Sequence, residues 1–225
     1  MSERWPGDEH EESDVLEVED DRLEEEEHVH ELPLEEEPLI SGDEEEGGDT
    51  PVPGGATQQH AGGELDIPDD VDVIEGMPEG GRRNIAIVAS RFNGEITNRL
   101  LESALAELDK LGVRREAIVV MPVPGAFELP LAAMALAKTR RYAAVIALGC
   151  VIRGETPHFD YVASEAASGL QLAALETGVP VAFGVLTVEA VEQAEARIEK
   201  GAEAVRTALE MADAFAQLRA SASAR

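Results

Sequence analysis

The sequence predicts an α/β fold: a three-layer α/β/α domain on a four-stranded parallel sheet, preceded by a disordered acidic tail. Two observations predict it. Residues 1–80 hold 30 of the 47 acidic side chains and only Arg4 and Arg22 as cations, whereas residues 81–225 hold 17 acidic and 16 basic ones. Past residue 81, short apolar runs alternate with longer stretches whose apolar residues recur at helical spacing. Such alternation with short connections leaves a parallel sheet with helices on both faces, joined by right-handed crossovers.

The charge split places a boundary at residue 80, with a tail of net charge -28 before it and a nearly neutral domain, residues 81–225, after it. Runs such as Glu24 to Glu27 and Glu44 to Glu46 repel themselves and offer little apolar surface to offset ordering, so residues 8–49 read as disordered. Scattered apolar residues from Val15 to Ile40 allow a partner-induced helix, which Pro33 and Pro38 would interrupt. His28 and His30 stand among glutamates without further ligand spacing, so solvated imidazoles are the stronger reading over a loose metal site. Residues 47–63 have linker composition, and the apolar patch Val71 to Ile74 is a candidate edge strand.

Within the domain, residues 84–90 are a nearly all-apolar run of strand length, the pattern of a strand covered on both faces. Residues 96–111 place Ile96, Leu100, Leu101, Leu105 and Leu108 at helical spacing and stop at Gly112. The cycle repeats with a strand at 117–123 and a helix at 129–138, then a strand at 143–148 and a helix at 161–176 closed by Gly178. A fourth strand at 180–186 precedes helical stretches at 189–198 and 202–218. The plan is flavodoxin-like, and in such sheets ligands bind at the carboxyl ends of the strands.

Composition excludes several functions. The tail would repel phosphates, so nucleic acid is not an expected partner. One cysteine, Cys150, rules out an internal disulfide framework and a Cys-cluster metal site, and suits a reducing compartment. No apolar run approaches the ~20 residues that span a bilayer, and residues 1–8 lack a secretory signal pattern. No membrane and a cytoplasmic location are therefore expected. Walker, Gly-x-Gly-x-x-Gly and Gly-x-Ser-x-Gly patterns do not occur.

Each strand end carries residues that packing does not require. After the first strand, Phe92 is either a lid over the following helix or a ring that stacks on a flat ligand. After the second, Pro122, Pro124 and Gly125 fix the backbone ahead of Glu128, which is either a helix cap or a ligand-binding carboxylate. After the third, Gly154 and Thr156 precede a helix, where free N–H groups and a hydroxyl suit a phosphate, and His158 follows. His158 is either a surface cap or a proton donor to a leaving group. Cys150 is at a strand end, but an apolar, half-buried run argues for an inert thiol rather than a nucleophile.

Taken together, the four strand ends are specific. Arg91-Phe92-Asn93, the Val123 to Pro130 turn (Val-Pro-Gly-Ala-Phe-Glu-Leu-Pro), the Gly149 to Tyr161 stretch (Gly-Cys-Val-Ile-Arg-Gly-Glu-Thr-Pro-His-Phe-Asp-Tyr), and Pro180 to Thr187 followed by Glu192-Gln193 resemble the 6,7-dimethyl-8-ribityllumazine synthase family. The resemblance covers roughly residues 84–211 and leaves out the tail. It implies a transferase of riboflavin biosynthesis that condenses 5-amino-6-(D-ribitylamino)uracil with 3,4-dihydroxy-2-butanone 4-phosphate, releasing phosphate and water, with no cofactor and no metal. By the same resemblance, Phe92 stacks on the pyrimidine and Ala126, Phe127 and Glu128 hold the ribityl chain. The backbone of Cys150, Val151 and Ile152 reads the uracil edge, Glu155 and Thr156 bind the butanone phosphate, and His158 donates the proton. Phe183 and Arg197 match positions lent to a neighbouring subunit's site, the arginine for phosphate. A homo-oligomer follows, a pentamer or a sixty-subunit icosahedral capsid, with riboflavin synthase as a candidate partner. Two departures stand out: a short Ile198-Glu199-Lys200-Gly201 connection where a longer Gly- and Lys-rich loop is common, and Cys150 where threonine is frequent. The rival expectations are a non-catalytic shell or scaffold and a generic flavin binder.

Overall fold

A computed structural model of the chain describes residues 65–223. The expectations for the acidic run at 8–49, the linker at 47–63 and the His28/His30 pair lie outside the described residues; residues 65–80, expected to belong to the tail, are described.

Four strands form one parallel sheet: β1 (Ile85–Ser90), β2 (Ile118–Val123), β3 (Ala144–Ile152) and β4 (Val181–Val188), in the order β2-β1-β3-β4. All six residues of β1 are buried, as its apolar run predicts for a central strand. Alternate residues face opposite layers. Ile85, Ile87 and Ala89, with Ile146 and Leu148 of β3, pack under α1 (Gly94–Lys110) and α5 (Lys200–Ser223). Ala86 and Val88, with Val145 and Ala147, pack under α2 (Leu129–Lys138) and α3 (His158–Thr177). The three-layer expectation is therefore met.

The helices stop where local chemistry demands. After α1, Gly112 takes φ 83° and the Val113 N–H donates to the Leu108 carbonyl at 2.9 Å, closing the helix with a glycine in the left-handed region and Val113 buried behind it. The first turn of α5 lies so close to α1 that a Cβ on Gly201 would stand 2.2 Å from the Leu100 carbonyl oxygen. Any side chain there would push the two helices apart.

Several boundaries differ from the sequence expectation: α3 begins at His158 rather than 161, β4 runs to Val188 rather than 186, and α5 covers Lys200–Ser223 rather than 202–218. β3 runs four residues past Leu148, because Gly149 to Ile152 pair in register with Val185 to Val188 of β4. Helix α4 covers only Val191–Glu195, and turns occupy residues 196–199 before α5. Val71 to Ile74 forms no strand with this chain's own sheet, and Val71, Val73 and Ile74 are about half exposed. Residues 75–77 instead lie along α5: the Met77 N–H donates to Asp213 at 3.1 Å, and the Gln217 side chain donates to the Glu75 carbonyl at 2.7 Å. Among the described residues both outer strands keep an open edge, and on β2 the side chains of Val119, Val120 and Met121 are exposed.

Candidate active site

The carboxyl ends of β1, β2 and β3 are laced together by short contacts. The chain leaving β1 keeps pairing with the end of β2, the Phe92 N–H donating to the Pro124 carbonyl at 3.0 Å. Asn93 then turns the chain into α1 through the left-handed region (φ 53°, ψ 42°), a conformation that a short polar side chain tolerates. Its amide Nδ2 donates to the Cys150 carbonyl at 2.9 Å, tying β1's exit to β3. After β2, Ala126–Glu128 forms a single 3-10 turn, and the Glu128 carboxylate folds back to accept the Gly125 N–H at 2.9 Å.

Between these ends and the first turns of α3 lies a cavity of about 540 Å³. Its lining includes Phe92, Ala126, Phe127, Glu128, Cys150, Val151, Ile152, Thr156 and His158, nine of the twelve residues expected at the site. Glu155, Phe183 and Arg197 do not line it. Phe183 projects from β4 with 48% of its surface exposed, and Arg197, beyond α4, donates to the Gln193 carbonyl at 2.8 Å.

Some of the open sequence readings are decided by this geometry. Phe92 is 70% exposed at the cavity's edge, so it is not packed as a lid over α1. His158 is the first residue of α3, whose N-terminus has no side-chain cap, so His158 is not a capping residue. Glu128 does cap its own turn, which orients the carboxylate along the cavity wall. The Cys150 thiol is buried, and burial pushes its pKa up to about 11, which leaves it a poor nucleophile at neutral pH.

Asn93, Gly125, Gly154, Phe159, Tyr161 and Val162 also line the cavity, beyond the residues expected. Asn93 follows Phe92, and an asparagine ahead of a glycine is a signal for a left-handed turn that the sequence does contain. Phe159, Tyr161 and Val162 are in the first turns of α3, and nothing in their spacing separates them from ordinary helix packing.

Chemically, the cavity is an apolar slot with a few polar groups: the Glu128 carboxylate, the Thr156 and Tyr161 hydroxyls, the His158 imidazole, the Asn93 amide and the Cys150 thiol. No arginine or lysine lines it. Among the described residues, no group of three or more His, Cys, Asp or Glu is placed to hold a metal ion, and no helix is long and apolar enough to cross a membrane.

Comparison with known proteins agrees with the strand-end motifs. A family model described as 6,7-dimethyl-8-ribityllumazine synthase matches residues 82–216. Proteins named 6,7-dimethyl-8-ribityllumazine synthase from Yersinia pestis (strain Pestoides F) and from Yersinia pseudotuberculosis serotype O:1b (strain IP 31758) are each 53% identical over 147 residues, covering 63% of this chain and 94% of theirs. With the cavity at the strand ends and the matched span holding every one of its lining residues, this chain belongs to the 6,7-dimethyl-8-ribityllumazine synthase family.

Proposed function

We infer that this chain is the transferase that condenses 5-amino-6-(D-ribitylamino)uracil with 3,4-dihydroxy-2-butanone 4-phosphate to give 6,7-dimethyl-8-ribityllumazine, phosphate and water. The observation that carries the reading is the cavity itself, which gathers Phe92, Glu128, Thr156 and His158 from three separate strand ends. An aromatic amine and a ketone are intrinsically reactive toward each other. The site has mainly to hold them in near-attack geometry, move protons and let phosphate leave. In this reading Phe92 and the apolar walls hold the flat pyrimidine, and the turn from Ala126 to Glu128 faces the ribityl chain. The β3 end from Cys150 to Ile152 runs along the uracil edge. His158, beside Thr156 at the start of α3, delivers the proton. Two small water-soluble substrates and a single buried thiol suit a cytosolic enzyme.

The phosphate needs a cation that the cavity's own lining lacks, and we assign it to Arg197 of a second copy, with Phe183 beside it. Supporting this are the position of both residues outside their own chain's cavity and the apolar side chains left exposed on β2, α2 and α3. Glu155, outside the cavity lining, remains assigned to the same phosphate end. Incubating the purified protein with both substrates and following lumazine fluorescence tests the reaction. Product formation is expected; a well-folded protein that turns over neither substrate is a scaffold, and a yellow, inactive one is a flavin binder.

A further inference from the structure

The turn that carries His158 is gripped by one side chain outside the cavity. Arg153 is the first residue after β3, and its N–H donates to the Val188 carbonyl at the end of β4 at 2.9 Å. From there the guanidinium reaches two elements. Nη2 and Nη1 donate to the two carboxylate oxygens of Asp160 at 3.1 and 3.2 Å, and Nε contacts Glu189 at 2.8 Å. Its Cζ lies 4.2 Å from the centroid of the Phe159 ring. Phe159 and Asp160 immediately follow His158 in the first turn of α3, and Glu189 immediately follows β4.

We propose that Arg153 is a positioning residue for the reaction inferred above: it ties the His158 turn to the end of β4 and does not itself bind the phosphate. The proposal rests on that reading of the reaction. Three features carry it. The guanidinium is committed, with a forked pair on Asp160, a second carboxylate on Nε and an aromatic ring near its plane. Two carboxylates around one cation leave the cluster net negative, which repels a phosphate rather than attracting it. Arg153 is absent from the cavity lining, whereas Gly154, Thr156, His158 and Phe159 on either side of the turn belong to it.

A single exposed ion pair would hold such a turn weakly, and Arg153 keeps 39% of its side chain exposed. The network differs because one rigid plane joins three elements, and α3 has no side-chain cap of its own to do so. Small displacements of a proton donor cost rate far more readily than they cost substrate binding, since misplacement by about 1 Å can cost 10²-fold. The expected signature is therefore a fall in kcat with KM nearly unchanged.

Two variants read this. Arg153→Lys keeps the charge as a point that cannot fork onto Asp160 and reach Glu189 together, and Asp160→Asn weakens only the α3 arm. Each is expected to lower kcat by roughly five- to fiftyfold with KM for the butanone phosphate within about threefold. Added to His158→Ala, neither should lower kcat by more than about twofold further, because the group they position is gone. Amide exchange of residues 154–160 should quicken in both, a measurement that needs no turnover. The proposal is overturned if Arg153→Lys raises KM for the phosphate substrate about tenfold with kcat intact, if its loss adds in full to that of His158→Ala, or if kcat does not move. Should Arg153→Lys fail to fold, Asp160→Asn decides alone. If the wild type makes no lumazine, the reaction reading fails, and the exchange data still show whether Arg153 holds the turn.

Discussion

His158 reaches the cavity because β3 hands the chain to α3 within five residues, and the helix begins on it. Replacing it with alanine should slow turnover without abolishing it. A positioned general acid contributes typically 10²–10⁴-fold, and the remaining acceleration comes from holding the two substrates together. Arg197→Ala should act differently, raising KM for the butanone phosphate by about 10- to 150-fold with a smaller change for the uracil substrate, the equivalent of about 1.5–3 kcal/mol for a charge-assisted hydrogen bond. A loss of affinity confined to the uracil would refute the phosphate role. Cys150 makes a third case. With its pKa pushed up to about 11 by burial, the thiol is almost wholly protonated at pH 7.5, so alkylation should be slow and should speed as the pH rises above 8. Cys150→Thr should keep activity, since the contact that Asn93 makes is with the backbone carbonyl. At this scale the sequence was informative wherever a residue type has no packing purpose, as with Phe92, Glu128 and His158. It was silent on Phe159 and Tyr161, which belong to the first turn of α3 as well as to the cavity lining.

Between elements, the sequence pattern located every strand and every long helix, because a two-sided sheet demands unbroken apolar runs and covering helices demand a 3.6-residue stripe. It misjudged lengths where tertiary contact overrode local signals. Gly149 reads as the end of β3, yet the strand continues. A Cβ at that position would stand 3.0 Å from the Ser90 hydroxyl, so the glycine marks a close approach of β1 rather than a break. Pairing between elements was likewise unreadable. Glu107 of α1, with only 9% of its side chain exposed, receives Arg206 of α5 at 2.8 Å and Lys110 at 3.3 Å. Burial raises its pKa, but the hydrogen bonds from Arg206 and Lys110 outweigh burial and hold it below the usual carboxylate value. Arg206→Met should therefore leave a mostly buried carboxylate with Lys110 as its remaining partner and destabilise the fold by about 1–3 kcal/mol at pH 7 while leaving kcat alone. A lowered carboxyl pKa gives stability that is present above the unfolded value and lost as pH falls through the folded one. The gap in Tm between wild type and variant should accordingly be widest at neutral pH and shrink as the pH falls into the acid range. A gap independent of pH would mean that Arg206 acts through packing alone.

For the whole molecule, the open question is what the first eighty residues do, since the family match begins only at residue 82. We propose that the described domain assembles into a pentamer or a larger shell, each copy adding its tail's negative charge to the particle. The tail carries a net charge of -28, so many copies on one particle would repel one another and keep particles apart, with strong salt dependence because exposed charges are screened within ~10 Å at 0.1 M. Of this region, residues 65–80 are described. Residues 65–81 include the strap along α5, where Gly76 fits so tightly that a Cβ would stand 2.0 Å from the Glu210 carbonyl oxygen, and where Asp213 is held below the usual carboxylate range by the Met77 N–H first, then by Gln217 and Arg83. Residues before Glu64 hold none of the residues that line the cavity. A chain starting at Glu64 should thus keep its specific activity, its Tm and its sedimentation coefficient corrected for mass, and lose only solubility at low salt. A chain starting at Arg82 should lose stability, because the α5 face is bared and Asp213 loses its largest partner. If Val71 to Ile74 pairs with the open edge of β2 in a neighbouring copy, that shorter chain should also dissociate on dilution, carrying activity down with it as the shared phosphate pocket comes apart. Sedimentation and turnover measured together across a dilution series separate these outcomes. Full activity from a monomer would end the shared-site proposal, and a loss of activity already present in the chain starting at Glu64 would make the acidic tail part of the enzyme rather than a source of charge alone.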